Sequence, residues 1–104
     1  MERVAFTMKI LAGFMDEYKR RHEEIWPELT KLLKETGISE YSIFIDEENN
    51  LLFGMLNSDD QEAFDSLPRQ ATMQLWWKYM SDIVETNADN SPVIIPLKEM
   101  FYLP

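Results

Sequence analysis

Along the N-terminal segment ERVAFTMKI, the apolar residues Val4, Phe6, Met8 and Ile10 fall at every second position. That is the period of a strand with one buried face, so residues 2–10 are predicted to be a strand. From Phe14 the period changes: Phe14, Tyr18, His22, Ile25, Trp26, Leu29, Leu32 and Leu33 recur at steps of three and four. This helical face runs to Thr36-Gly37, where glycine suits a left-handed C-terminal cap. Pro27 interrupts it, because proline has no amide to donate to residue 23 and disfavours helical dihedrals at Trp26. The expected outcome is a kinked helix, or one that ends near Glu24 with a second beginning at Pro27.

Two apolar runs follow, Tyr41 to Asp46 and Leu51 to Leu56, joined by Glu47-Glu-Asn-Asn50, a hairpin signal. Ser58-Asp-Asp-Gln61 matches a capping box with Ser58 as the cap, ahead of a short helix through Ala63, Phe64 and Leu67 that closes at Pro68. A further helix is predicted from Ala71 to about Glu85, with Met73, Trp76, Met80, Ile83 and Val84 on its apolar stripe. Asn87 to Pro92 has turn composition, and the last strand is expected near Glu99 to Leu103. The order is thus strand, broken helix, hairpin, one or two helices, strand. It fits an α+β class, the ferredoxin-like β-α-β-β-α-β sandwich with helices on one face of a four-stranded antiparallel sheet. The other face needs a cover, so a homodimer is expected, two sheets pairing into a dimeric α/β barrel.

At 104 residues the chain fits a single domain, 1–104, and it carries no internal repeat. It has no cysteine, which excludes disulfides, thiolate metal sites and cysteine nucleophiles and suits a reducing cytoplasm. No leader pattern opens MERVAFTMKI, so the expectation is a cytoplasmic protein. A net charge of -9 opposes nucleic acid and anionic membranes. Lys19, Arg20 and Arg21 lie among Glu17, Glu23 and Glu24 and read as a solvated, salt-bridged face. A neutral or cationic ligand suits this balance better than a nucleotide.

Chemistry concentrates on few side chains. His22 is the only histidine, and Tyr18 and Trp26 stand four residues to either side of it on one line of the helix. Spacing alone leaves two readings: an imidazole that merely packs at the helix edge, or a general acid–base with a reference pKa of ~6.5. Adjacent helical positions diverge by ~100°, so Trp76 and Trp77 are either one core and one edge ring or two borders of a pocket. Tyr41, at the start of a strand, either packs across the sheet or adds a phenol to that pocket. There is no P-loop, dinucleotide-binding turn, nucleophile elbow or HExxH, and a metal site at His22 would need carboxylate partners.

The segments EYKRRHEEIWPEL (Glu17 to Leu29), YSIFIDEENNLLF (Tyr41 to Phe53), WWKYMSDI (Trp76 to Ile83), NADNSP (Asn87 to Pro92) and MFYLP (Met100 to Pro104) resemble, in order, the L-rhamnose mutarotase family. The resemblance implies a dimeric ferredoxin-like enzyme that interconverts the α and β anomers of L-rhamnose, with no cofactor and no metal. It also implies a proton-donating histidine, which falls on His22, and substrate-contacting aromatics, which fall on Tyr18, Tyr41, Trp76 and Trp77. Ala88 departs from the proline expected in NPDNSP. In such a cycle His22 would protonate the ring oxygen while Tyr18 or a bound water handles the anomeric hydroxyl. Asp46, Glu40 and Glu99 adjoin predicted strands and are the acidic candidates to tune His22. The alternative of a different class is a small ligand-binding or haem-handling dimer with His22 as axial ligand.

Overall fold

The alternation of Val4, Phe6 and Met8 becomes strand β1 (Glu2–Lys9) in the computed structural model, which describes Met1 to Pro104. Ile10, expected within that strand, instead forms an isolated bridge to Val84. Pro27 divides the long helical face: α1 (Met15–Glu23) stops before it and α2 (Pro27–Glu35) begins on it. Trp26 between them is extended, with φ -62 and ψ 132, the conformation favoured before proline. Gly37 then turns the chain at φ +89 into the hairpin of β2 (Ile38–Asp46) and β3 (Leu51–Ser58).

The capping box is shifted from its expected place. Ser58 is the last residue of β3, and Asp60 caps α3 (Gln61–Ser66), its carboxylate accepting from the Ala63 amide at 3.1 Å. Pairing of Ser58 with Glu2 and Ile38 holds it in the sheet, so the cap falls two residues on, to Asp60. A single 3-10 turn at Leu67–Arg69 leads into α4 (Ala71–Met80). That helix ends five residues short of the expected Glu85, because Leu11 and Glu85 bond across to Ile83 and Lys9 and pull the chain into a bridge beside β1. The last strand, β4 (Ile95–Leu97), precedes the expected Glu99 to Leu103. Val93 is already tied to Glu85, so the chain reaches the open edge of β1 early and pairs with Ala5 to Thr7. Pro96 is tolerated there because β4 is an edge strand. The residues after it are held by side chains, with Arg3 donating to Glu99 and lying over the Tyr102 ring.

The sheet order is β2-β3-β1-β4, all neighbours antiparallel, as the β-α-β-β-α-β arrangement requires. Its inner face (Phe6, Met8, Leu52 and Leu56) packs on Leu29, Trp76, Met80 and Ile83 to form the core. Leu29, Leu52 and Ile83 are sealed from water, and each such burial stabilises the fold by roughly 1.5–3 kcal/mol. Gly54 is required here: a Cβ would stand 2.5 Å from the Phe6 ring, which lies across it. The outer face is apolar but open, with Phe44 62%, Met55 51% and Ile95 55% exposed.

The Ser58 hydroxyl is buried with no hydrogen-bond partner. Removing it deletes an uncompensated desolvation cost, so Ser58→Ala should match or exceed the wild-type midpoint in urea unfolding, where loss of a true helix cap would lower stability by about 1 kcal/mol.

Candidate active site

Four of the five aromatic or imidazole residues singled out in the sequence meet in direct or near contact. Tyr18 and His22, one turn apart on α1, stack with ring centres 4.3 Å apart. Trp76 of α4 closes on His22 edge-to-face at 5.4 Å and 90°. Tyr41 reaches the same space from β2, its ring meeting Phe6 edge-on at 6.3 Å and lying near enough to Tyr18 to disfavour ionisation of the Tyr18 phenol. Trp77 lines the same cavity from the next helical position, without joining those ring contacts. The cavity, about 1120 Å³, lies between the inner face of the sheet and the helices. Apolar residues make up 24 of its 37 lining residues, which suits a small molecule carrying few polar anchors.

Sequence places Tyr41 here through a bulge. Ser39 pairs with Asn57 and Ser42 with Met55, so Glu40 and Tyr41 together oppose the single residue Leu56. This extra residue lets Ile38 and Ile43 both face the core, and Tyr41 falls on the inner side between them. Glu40, the first residue of the bulge, takes a left-handed conformation, φ 51, as glycine does in one kind of bulge. The phase change from Ile38 to Tyr41, Ile43 and Ile45 is the signal in the sequence that could have revealed it.

Electrostatics set the protonation states. His22 Nδ1 lies 3.0 Å from the Tyr18 carbonyl, which can only accept, so Nδ1 carries the hydrogen and Nε2 is the basic nitrogen of the neutral ring. Burial lowers the His22 pKa from its ordinary value, partly opposed by that carbonyl. Imidazole is therefore mainly neutral at pH 7. Burial raises both phenols: Tyr41 to about 12, and Tyr18 far above the usual phenol range with help from Tyr41. Although 40% of the Tyr41 surface is accessible, much of the ring lines a concave wall crowded by protein, which accounts for the strong desolvation. Both phenols therefore stay protonated near neutrality and are able to donate hydrogen bonds.

No carboxylate tunes His22. Glu99 binds Arg3, and Asp46 accepts from Asn49 at the hairpin. Glu40 lines the cavity but takes no part in the histidine's shift. No three His, Asp or Glu side chains converge as a metal site, and no helix is long and apolar enough to cross a membrane. The basic run divides: Arg20 is exposed and bonds Glu17 and Glu24 as expected, but Arg21 is buried. Arg21 stands three residues after Tyr18 and four before Ile25, on the apolar stripe, and that position was the clue to its burial. Trp26 and Tyr79 form the wall behind Trp76, with centroids 5.1 Å and 5.6 Å from its ring.

One imidazole with a free basic nitrogen, two neutral phenols and an indole wall in a mostly apolar cavity define a class: a small antiparallel α+β domain equipped for proton transfer on a neutral, partly apolar small molecule. The comparisons with known proteins agree. A family model described as L-rhamnose mutarotase matches residues 3–103. The L-rhamnose mutarotase of Sinorhizobium fredii is 53% identical over 103 residues, covering 99% of each chain. That of Flavobacterium johnsoniae is 54% identical, covering 97% of this chain and 94% of the relative. A crystal structure of an L-rhamnose mutarotase from Formosa agariphila superposes with a TM-score of 0.94 at 48% identity, covering 100% of both chains. The chain belongs to the L-rhamnose mutarotase family.

Substitutions at the bulge test how Tyr41 is held. Glycine at position 40 relieves left-handed strain of ~1 kcal/mol but restores a similar chain entropy, so Glu40→Gly should unfold within about 0.5 kcal/mol of wild type. A β-branched residue gains nothing there, and Glu40→Val should cost more than ~1 kcal/mol in the same denaturant titration.

Proposed function

We propose that this protein is an L-rhamnose mutarotase, an isomerase that interconverts the α and β anomers of L-rhamnose by opening and reclosing the pyranose ring. The observation that carries the reading is the Nδ1 bond of His22 to the Tyr18 carbonyl, which leaves Nε2 as the one ring nitrogen available for proton exchange in an aromatic cavity. On opening, Nε2 takes the proton of the anomeric hydroxyl. The bond from the anomeric carbon to the ring oxygen breaks with its electron pair on that oxygen, and the imidazolium gives the proton to it. His22 is thus the proton donor to the ring oxygen, and burial makes its charged form a ready one.

The open aldehyde turns about the bond to its carbonyl carbon, presents its other face and recloses by the same transfers in reverse. The net change is a proton passed between two oxygens and back. No electron or hydride moves, so the chemistry calls for no redox cofactor.

Tyr18 and Tyr41 donate hydrogen bonds to sugar oxygens, while Trp76 and Trp77 lie against its C–H and methyl surface. Because the phenols stay protonated, Tyr18 orients the anomeric oxygen and does not take its proton. The haem-handling alternative is not favoured by the family match. The reading extends to a homodimer in which outer sheet faces carrying Phe44, Met55 and Ile95 pair as a barrel, since so wide an apolar face is costly in water. It also extends to the cytoplasm, which the cysteine-free composition suits, and to an acidic surface that binds neither nucleic acid nor membrane.

Saturation-transfer NMR on the anomeric protons of L-rhamnose should show exchange faster than buffer at catalytic protein concentration; buffer-like exchange would sink the proposal. His22→Ala should lower the rate by roughly 10²–10⁴-fold. The wild-type rate should decline as pH falls through the His22 midpoint, which lies below the ordinary ~6.5, because protonation removes the Nε2 base. For assembly, sedimentation velocity should find a dimer that becomes monomeric when Phe44 and Met55 are both changed to Glu; a wild-type monomer would refute the barrel.

A further inference from the structure

Arg21 and His22 are adjacent on α1 and so diverge by ~100°: when the imidazole faces the cavity, the guanidinium must leave it sideways. It goes to the end of α4. Its Nη1 donates to the Tyr79 carbonyl at 2.7 Å and to Asp82 Oδ1 at 2.9 Å, and its Nη2 donates to Asp82 Oδ2 at 3.2 Å. Nε donates to Glu17 Oε2 at 2.7 Å, one turn back on α1, and the guanidinium carbon sits 4.5 Å from the Tyr79 ring centre. The side chain is only 9% exposed.

Among the last carbonyls of α4, Lys78 receives the Ser81 amide and Met80 the Ile83 amide, but Tyr79 receives Arg21. One side chain therefore completes a helix end and joins two helices. Tyr79 lies three residues beyond Trp76, on the same face, and their rings are 5.6 Å apart. Trp76 in turn meets His22 at 5.4 Å. The circuit closes: Arg21 to Tyr79, Tyr79 to Trp76, Trp76 to His22, and His22 back to Arg21 through one peptide bond.

We infer that Arg21 is a positioning residue, whose fork to the Tyr79 carbonyl and Asp82 fixes the distance between α1 and α4 and so presses His22 into place between Tyr18 and Trp76. It touches no substrate. A lysine could reach the carbonyl but could not hold carbonyl and carboxylate together in one plane. The inference rests on the mutarotase reading for its effect on rate, though not for its effect on the ring.

The test uses the chain's one histidine, whose Cε1 proton gives a single NMR signal. Arg21→Met keeps the apolar stem and removes the fork. It should lower the saturating rate of anomer exchange by on the order of ten- to a hundredfold with KM within about twofold, the effect of misplacing a reacting group slightly. Recorded well below the unfolding temperature, the His22 signal should lose ring-current shift from Trp76 and Tyr18, and its titration midpoint should rise toward that of a solvated histidine. Arg21→Lys should recover part of both and secures the test if the methionine variant does not fold. A wild-type saturating rate in Arg21→Met overturns the inference, as does a lowered rate with the His22 shift and midpoint unchanged. If the wild type itself shows no exchange, the functional reading fails, while the His22 signal still decides whether Arg21 places the ring.

Discussion

Pro27 has no amide hydrogen, and the bond it cannot make organises the molecule. Without a donor at 27 the first helix ends at Glu23, and Trp26 swings into extended backbone. A continuous helix from Met15 to Glu35 would have to present Tyr18, His22 and the leucines of its second half to one surface. The break lets α1 and α2 pack at separate angles while both contribute to the same core and cavity wall. Leu29 seals the core against the sheet, while Tyr18 and His22 line the cavity and Trp26 drops against Trp76 and Tyr79.

Most of the cavity wall is apolar, and no charged side chain takes part in the shifts of His22, Tyr18 or Tyr41, so these groups lose water without gaining counter-charges. His22 is left neutral with its hydrogen on Nδ1, and the phenols of Tyr18 and Tyr41 are held as donors. On the same helix, Arg20 and Glu24 pair where they meet solvent, and Arg21, to one side of His22, braces α4. One short helix thus turns its imidazole and phenol to the cavity and its arginine to α4 by rotation about its own axis.

Local pattern carried much of this. The period-two run around Phe6, the proline break, the hairpin and the tryptophan pair all depend on contacts within a few residues, so sequence alone locates them. Tyr18, His22 and Trp76 were also legible, because an i,i+4 pair and an unusual aromatic pair are visible in one dimension. The errors fell where a distant partner decided the outcome. Ser58 looks like a helix cap until its pairing with Glu2 and Ile38 is known; Arg21 looks like surface charge until Tyr79 and Asp82 arrive beside it.

The tail makes the distinction clearest. Residues 99–103 have more strand-like composition than Ile95-Pro96-Leu97, yet the strand is the latter. The single open edge of β1 lies beside Ala5 to Thr7, and the chain reaches it soon after the second bridge, between Thr86 and Pro92, closes. Composition and period therefore determined the kinds of element, their order and the break at Pro27, while the resemblance of ordered segments such as EYKRRHEEIWPEL and WWKYMSDI implied the family. Tertiary structure decided the last strand, the inward phase of Tyr41 at its bulge and the burial of Arg21. Each of these is a choice among locally similar options, settled by which unsatisfied hydrogen-bonding group or apolar face waits at the far side of the fold.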